Sequence, residues 1–350
     1  MNQKRGNNIT LQKVAEHAGV SRATASLVVR GSHSISEATK EKVFKSMREL
    51  GYVYDRIAAN LRSKSSSTVG LIIMELANSF YSELLVGIHQ ELSKFGQTVL
   101  LGTTFDSQTN QDRLLSTMLE HRVGGIILSA VPGSSAEVVE KVRSWGIPVV
   151  LVGRRIPGTQ FDFVGVDNMV GAELAVKHLL EHGHRRIGFI GGFARLSSWQ
   201  GRKQGYDNAL RQAGIPIDET LVIESPATLQ CGTELIQKVM AVSAPPTAVL
   251  CYNDAIAIGA MMKLKEMGII PGKDIAIIGF DDIPEAGIFS PKLSTVSSAI
   301  RSMGAHAATL LHSRMEGLDC EPQNIIVEPR LIIRESCACQ GTLPPSGGKC

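Results

Sequence analysis

Residues 10–31 read TLQKVAEHAGVSRATASLVVRG, and their spacing decides the fold of the N-terminal segment. Thr10 is placed to cap a helix whose apolar residues Leu11, Val14, Ala15 and Ala18 recur at i, i+3, i+4 and i+7. Gly19 supplies the left-handed backbone that ends it, and Val20 follows as an apolar plug. Ser21 caps a second helix, Arg22 to about Val29, with Thr24, Ala25 and Val28 inward and Arg22, Ala23, Ser26 and Leu27 outward. A third helix from about Ser36 to Leu50 carries the stripe Val43, Met47 and Leu50, and Gly51 stops it. Two short helices joined by a Gly-containing turn and braced by a third form a helix-turn-helix. In that motif the N-terminal residues of the second helix reach base edges in a DNA major groove.

The charge distribution agrees. The 350 residues carry a net +3, but residues 1–67 hold 12 Lys/Arg against 5 Asp/Glu, a net +7, which leaves −4 for the rest. A basic head on a mildly acidic body suits a polyanion-binding module joined to one that does not bind polyanions. Hydrophobic residues are 43% and charged residues 20%, as in ordinary globular proteins. No apolar run approaches the ~20 residues of a membrane span. No apolar segment follows MNQKRGNNIT, so no secretory signal is read and the cytoplasm is the expected compartment.

From Thr68 the chain alternates apolar runs with amphipathic helices. VGLIIM (69–74), TVLLG (98–102), GIILS (125–129) and PVVLVG (148–153) form one series. FVGVD (163–167), RIGFIG (186–191), TAVLC (247–251) and IAIIGF (275–280) form a second. Fully apolar strands alternating with helices predict parallel sheets covered on both faces. Two series in one body predict two lobes with a ligand crevice at the strand ends.

The headpiece run, then ISEATKEKVFKSMRELGYV, VGVDNMVGAELAVKHLLEHGHRRIGFIGG, CYNDAIAIGAMMKLKEMGIIPGKDIAIIGFDDIP and SPKLSTV together resemble the LacI/GalR family of transcriptional regulators over residues 9 to about 336. The phrases ASLVVRG and CYNDAIAIGA are similar to a maltose-regulator branch of it. The resemblance implies a small all-α headpiece (1–53), a hinge helix and linker (54–67) and a two-lobed α/β domain (68–336), with a flexible tail (337–350). The two-lobed domain is periplasmic-binding-protein-like, with two parallel Rossmann-like sheets. Its first lobe spans about 68–162 and 297–325, its second about 163–293 and 327–336, with crossings near 163, 293 and 327.

The resemblance also implies roles. Base reading falls to Arg22, Ala23 and Leu27: Arg22 suits a bidentate bond to guanine, while Leu27 stands where many members carry Arg. Thr10, Thr24 and Ser26 fall to phosphate contacts. In the hinge, Leu61 matches a minor-groove wedge and Ala58 permits close helix approach, with Tyr54 and Asp55 departing from the usual proline and asparagine. Phe80, Tyr81 and Arg154 from the first lobe and Ser198, Arg202, Asn253 and Asp281 from the second fall in the effector site. Aromatic faces beside Arg, Asn and Asp suit a carbohydrate; a nucleobase acting as co-repressor is the alternative. Phe80 and Tyr81 also read as core, and Asn253 and Asp281 as helix caps. Arg202 is the residue packing explains least. The implied partners are operator DNA and a second copy of the chain, with no membrane and no cofactor.

Enzyme readings find no support, since no G-x-G-x-x-G or Walker loop follows the first strand. A periplasmic sugar-binding protein would account for the body but not for the basic headpiece. The six cysteines (231, 251, 320, 337, 339 and 350) lack paired metal spacing and read as free thiols. His178, His182 and His184 have metal-like spacing, but read more simply as a helix end and turn. The tail has no leucine heptad, so a dimer is expected rather than a tetramer.

Overall fold

The computed structural model describes residues 9–29, 32, 34–52, 66–158, 160–318 and 320–337. The chain divides into two units, Met1–Ser65 and Ser66–Cys350. In the first, α1 (Leu11–Ala18), α2 (Arg22–Val29) and α3 (Glu37–Leu50) surround a core of Val14, Ala15, Ala25, Val28 and Val43. The Thr10 hydroxyl accepts the Lys13 amide and Gly19 ends α1 at φ 68°. Ser21 accepts the Thr24 amide at 3.0 Å, which starts α2. Ser36 caps α3, and Gly51 closes it at φ 64°.

The second unit holds two sheets. The first is built from β1 (Thr68–Ile73), β2 (Thr98–Thr103), β3 (Gly125–Leu128), β4 (Val149–Val152), β5 (Asp162–Val166) and β11 (Asn324–Val327). Their order is β11-β5-β4-β3-β1-β2, parallel throughout. Helices α4 (Ser79–Lys94), α5 (Gln108–Glu120), α6 (Ala136–Arg143) and α11 (Ile300–Met315) belong to this lobe. The second sheet holds β6 (Ile187–Ile190), β7 (Val222–Ile223), β8 (Ala248–Cys251), β9 (Ala276–Asp281), β10 (Ser294–Ser297) and β12 (Arg330–Ile332). Its order is β12-β10-β9-β8-β6-β7, with α7 (Asn168–Glu181), α8 (Ser197–Gln212), α9 (Leu229–Met240) and α10 (Asp254–Glu266) beside it. Strands β3, β4, β6, β8 and β9 are buried along their whole length, the reason their sequences are uniformly apolar.

Four expectations need correction. The strand expected to open the second series, β5, belongs to the first sheet: Phe163 and Val164 pair with Leu151 and Val152, and Asp162 is anchored by Arg314 at 2.8 Å. β10 pairs with β9 in the second sheet, so the crossings follow β5, β10 and β11 rather than falling near 163 and 293. β12 runs antiparallel to β10, so the second sheet is not wholly parallel. The tail also begins later than 337. The Cys337 side chain is 1% exposed, with Sγ 3.0 Å from Ser294 Oγ and 3.4 Å from His178 Nε2.

Helix α9 crosses α10 where both carry glycine. A Cβ on Gly232 would strike the Ile256 carbonyl, and one on Gly259 the Leu229 carbonyl. Backbone cannot retreat as a flexible side chain can. Gly232→Val is therefore expected to lower the unfolding free energy by about 1–3 kcal/mol in chemical denaturation. Gly287→Ala, at a position with nothing within 4 Å, is expected to change it by less than about 0.5 kcal/mol.

Candidate functional site

Parallel strands place their C-terminal ends on one edge of a sheet, and here both sheets turn that edge toward a shared cleft of about 320 Å³. The ends of β1, β2, β3 and β4 contribute Met74, Phe105, Asp106, Ser129, Gly153 and Arg154. Those of β6, β8 and β9 contribute Gly192, Phe193, Tyr252, Asn253 and Asp281. The first turn of α4 adds Phe80 and Tyr81, and the first two turns of α8 add Ser198 and Arg202. All seven residues expected at an effector site (Phe80, Tyr81, Arg154, Ser198, Arg202, Asn253 and Asp281) line this one cleft.

Each lobe supplies one guanidinium already paired with a carboxylate, and the second lobe adds the exposed Arg195. Arg154 donates to Asp106 at 2.5 Å and 3.4 Å. Arg202, 5% exposed, donates from Nε to Asn168 at 2.9 Å, from Nη1 to the Tyr252 carbonyl, and from Nη2 to Asp281 at 3.2 Å. Its guanidinium also lies over the Phe280 ring at 3.6 Å. Packing thus explains much of Arg202, contrary to expectation, although two of its five N–H donors are left by these bonds. Burial raises the Asp281 carboxyl to about 6, against the lowering effect of Arg202.

The remaining expected residues divide between scaffold and surface. Asn253 caps α10 through the Ile256 amide at 3.0 Å, as its second reading anticipated, and still borders the cleft. Tyr81 is 4% exposed and its hydroxyl bonds Ser129, with burial raising its pKa. Phe80 is half-buried and meets Tyr81 edge-on at 5.1 Å. Ser198 and the Tyr252 hydroxyl are hydrogen-bonded at 2.7 Å.

Sequence reading missed Phe105, Asp106, Tyr252 and Phe193. A usable signal existed: each lies just beyond a parallel strand's C-terminal end, where crevice residues belong. Phe105, Asp106 and Asp281 also have φ values of 51°, 54° and 116°, and they account for half of the non-glycine positive φ values among the described residues. Such backbone costs about 1–2 kcal/mol per residue. Its concentration at the cleft marks a functional constraint.

Two side-chain hydrogen bonds cross between the lobes near the cleft. Ser79, in the first turn of α4, donates to Glu285 at 2.6 Å, and the Arg155 amide donates to Ser197 at 3.3 Å.

In the headpiece, Arg22 and Ala23 are exposed at the start of α2, while Thr24, Ser26 and Leu27 are half-buried. Leu27 is therefore less outward than its helical position suggested. Thr10 is exposed but engaged as a cap. Ala58 and Leu61, with Tyr54 and Asp55, lie outside the described residues, as do Cys339 and Cys350.

The three histidines have local partners, and the His178 and His182 rings lie 4.3 Å apart. His178 meets Cys337, His182 Nδ1 lies 2.8 Å from the His178 carbonyl, and His184 bonds Thr247 at 2.9 Å. Among the described residues no group of three His, Cys, Asp or Glu side chains is arranged to hold a metal, and no helix is long and apolar enough to cross a membrane.

Comparison with known proteins joins both units. Residues 10–55 match the bacterial regulatory proteins of the lacI family, and residues 176–337 match a periplasmic binding protein-like domain. The ribose operon repressor of Haemophilus influenzae is 31% identical over 327 residues, covering 93% of this chain and 98% of that protein. The transcriptional repressor CytR of Escherichia coli is 31% identical, covering 93% and 96%. A lac repressor dimer, solved with operator and an anti-inducer, superposes with a TM-score of 0.82 at 26% identity, covering 95% and 100%. The regulator CelR in complex with cellobiose gives 0.71 at 32% identity, covering 94% and 99%. With a helix-turn-helix in one unit, a two-lobed cleft in the other and relatives of this kind across nearly its whole length, the chain belongs to the LacI family of transcriptional regulators and is not an enzyme.

Proposed function

We propose that the chain represses transcription as a homodimer, reading a pseudo-palindromic operator through α2 and sensing a neutral carbohydrate in the cleft. The observation that carries the effector class is the pairing of the guanidiniums of Arg154 and Arg202 with carboxylates. Arg154 is neutralised by Asp106 and Arg202 by Asp281, so an anionic ligand seated on either of these guanidiniums would have to displace its carboxylate. A neutral polyol instead adds hydrogen bonds to the pairs as they stand, with its C–H faces on Phe80 and Tyr252. The cellobiose of the CelR complex supports this class.

In the headpiece, the exposed Arg22 and Ala23 read bases, with Leu27 making apolar contact beside them. Thr10, Thr24 and Ser26 set position on phosphates. In the hinge, Leu61 wedges the minor groove and Ala58 lets two hinge helices meet. Effector between the lobes changes their relative angle and, through the linker at 54–67, the population competent for operator binding. Coupling of about 1–3 kcal/mol corresponds to a roughly 5- to 150-fold change in operator affinity.

The test is selection from a random duplex library at two salt concentrations, with and without a panel of sugars and nucleobases. A palindromic motif whose enrichment changes with a sugar supports the reading. A motif that responds only to a nucleobase, or no motif under any condition, contradicts it. Arg22→Ala should relax preference at one base pair in each half-site, by about 1–3 kcal/mol, leaving the other positions intact.

Because Asp281 titrates near 6, its charge is present above that pH and lost below it. Sugar affinity, followed by calorimetry, is expected to fall as pH drops from 7.5 to 5, and Asp281→Asn to flatten the profile. Ser79→Ala removes a cross-lobe bond worth about 1 kcal/mol. It should shift the sugar concentration that half-releases the operator by about fivefold, with operator sequence preference unchanged.

A further inference from the structure

We propose that the cleft contains a second, outer ring subsite built on Phe105, and that its effector is accordingly a neutral disaccharide rather than a single sugar. This rests on the carbohydrate reading above and deepens it. Phe105 borders the cleft, yet its side chain is 66% exposed, unusual for an aromatic that normally prefers the interior. A single exposed apolar side chain needs no explanation by itself. This one is held by a rigid support: its amide donates to the Met74 carbonyl at 2.9 Å, and the preceding Thr104 is wholly buried with its amide on Ile73. The left-handed backbone at Phe105 and Asp106 turns Asp106 inward onto Arg154 while presenting the Phe105 ring at the mouth. The second lobe supplies a companion, Phe193, with the Arg195 guanidinium 4.6 Å above its ring.

The cleft is therefore graded in chemistry. Its interior concentrates paired charges and buried hydroxyl and amide groups, which one sugar ring satisfies through its hydroxyls. Its mouth offers aromatic faces, suited to the C–H face of a second ring whose hydroxyls stay in water. The cleft volume of about 320 Å³ lies within the range of about 300–1,000 Å³ found for drug-sized ligands, and a monosaccharide is about half that size.

Calorimetric titration of the full-length protein with hexoses and with their α- and β-linked disaccharides tests this. At least one disaccharide is expected to bind about tenfold more tightly than its component hexose, the worth of one aromatic stacking contact. Phe105→Ala should remove that tenfold from the disaccharide and leave the hexose unchanged, while Phe105→Trp retains it. A hexose that binds as tightly as every disaccharide, or Phe105→Ala weakening both by the same factor, overturns the outer subsite but leaves the carbohydrate reading standing. Failure of sugars of either size to bind overturns both.

Discussion

The guanidinium of Arg202 is the interaction on which the second lobe's half of the cleft depends. It joins three elements that sequence keeps far apart: the start of α7 through Asn168, the end of β8 through the Tyr252 carbonyl, and the end of β9 through Asp281. Removing it would strand a buried carboxylate, a loss of about 3–5 kcal/mol for such a pair. Arg154 and Asp106 play the matching part in the first lobe. Because both pairs are oriented in the folded chain, a ligand meets a preorganised polar surface, and less of its binding energy goes into ordering side chains.

The same arrangement explains where the fold tolerates strain. Phe105, Asp106 and Asp281 occupy left-handed backbone at strand ends, and each aims a side chain at the cleft. The strand β9 that ends in Asp281 is buried along its whole length, and the buried Thr104 anchors the end of β2 through its amide on the Ile73 carbonyl. Across the cleft the lobes meet through modest contacts such as Ser79 with Glu285 and Arg155 with Ser197. One hydrogen bond is worth about 1 kcal/mol net, the scale of an allosteric coupling energy, so a sugar bridging both lobes can compete with such contacts.

Much of this was legible in the sequence because it depends on local rules. Helical spacing and capping placed α1, α2 and α3, and uniformly apolar runs marked the central strands. The seven expected cleft residues fall together because family resemblance carried positions that periodicity cannot supply. What escaped was set by long-range pairing. An apolar FVGV run gives no sign that it will join β4 and β11 rather than β6, since that choice rests on register and on the Arg314–Asp162 pair. Asp106 was missed because its meaning comes from Arg154, 48 residues away. Arg202 was misjudged for a similar reason: its partners Asn168, Tyr252 and Asp281 are distant in sequence.

The central claim is that the cleft and the operator-reading helix are linked through two states of one molecule. Linkage requires reciprocity: the factor by which sugar changes operator affinity must equal the factor by which operator changes sugar affinity. The decisive measurement is a pair of titrations under one buffer, sugar into protein with and without its selected operator, and operator into protein with and without saturating sugar. The account predicts equal factors, within the roughly 5- to 150-fold range of such couplings. Sugar that binds the cleft at saturation without changing operator affinity would contradict it.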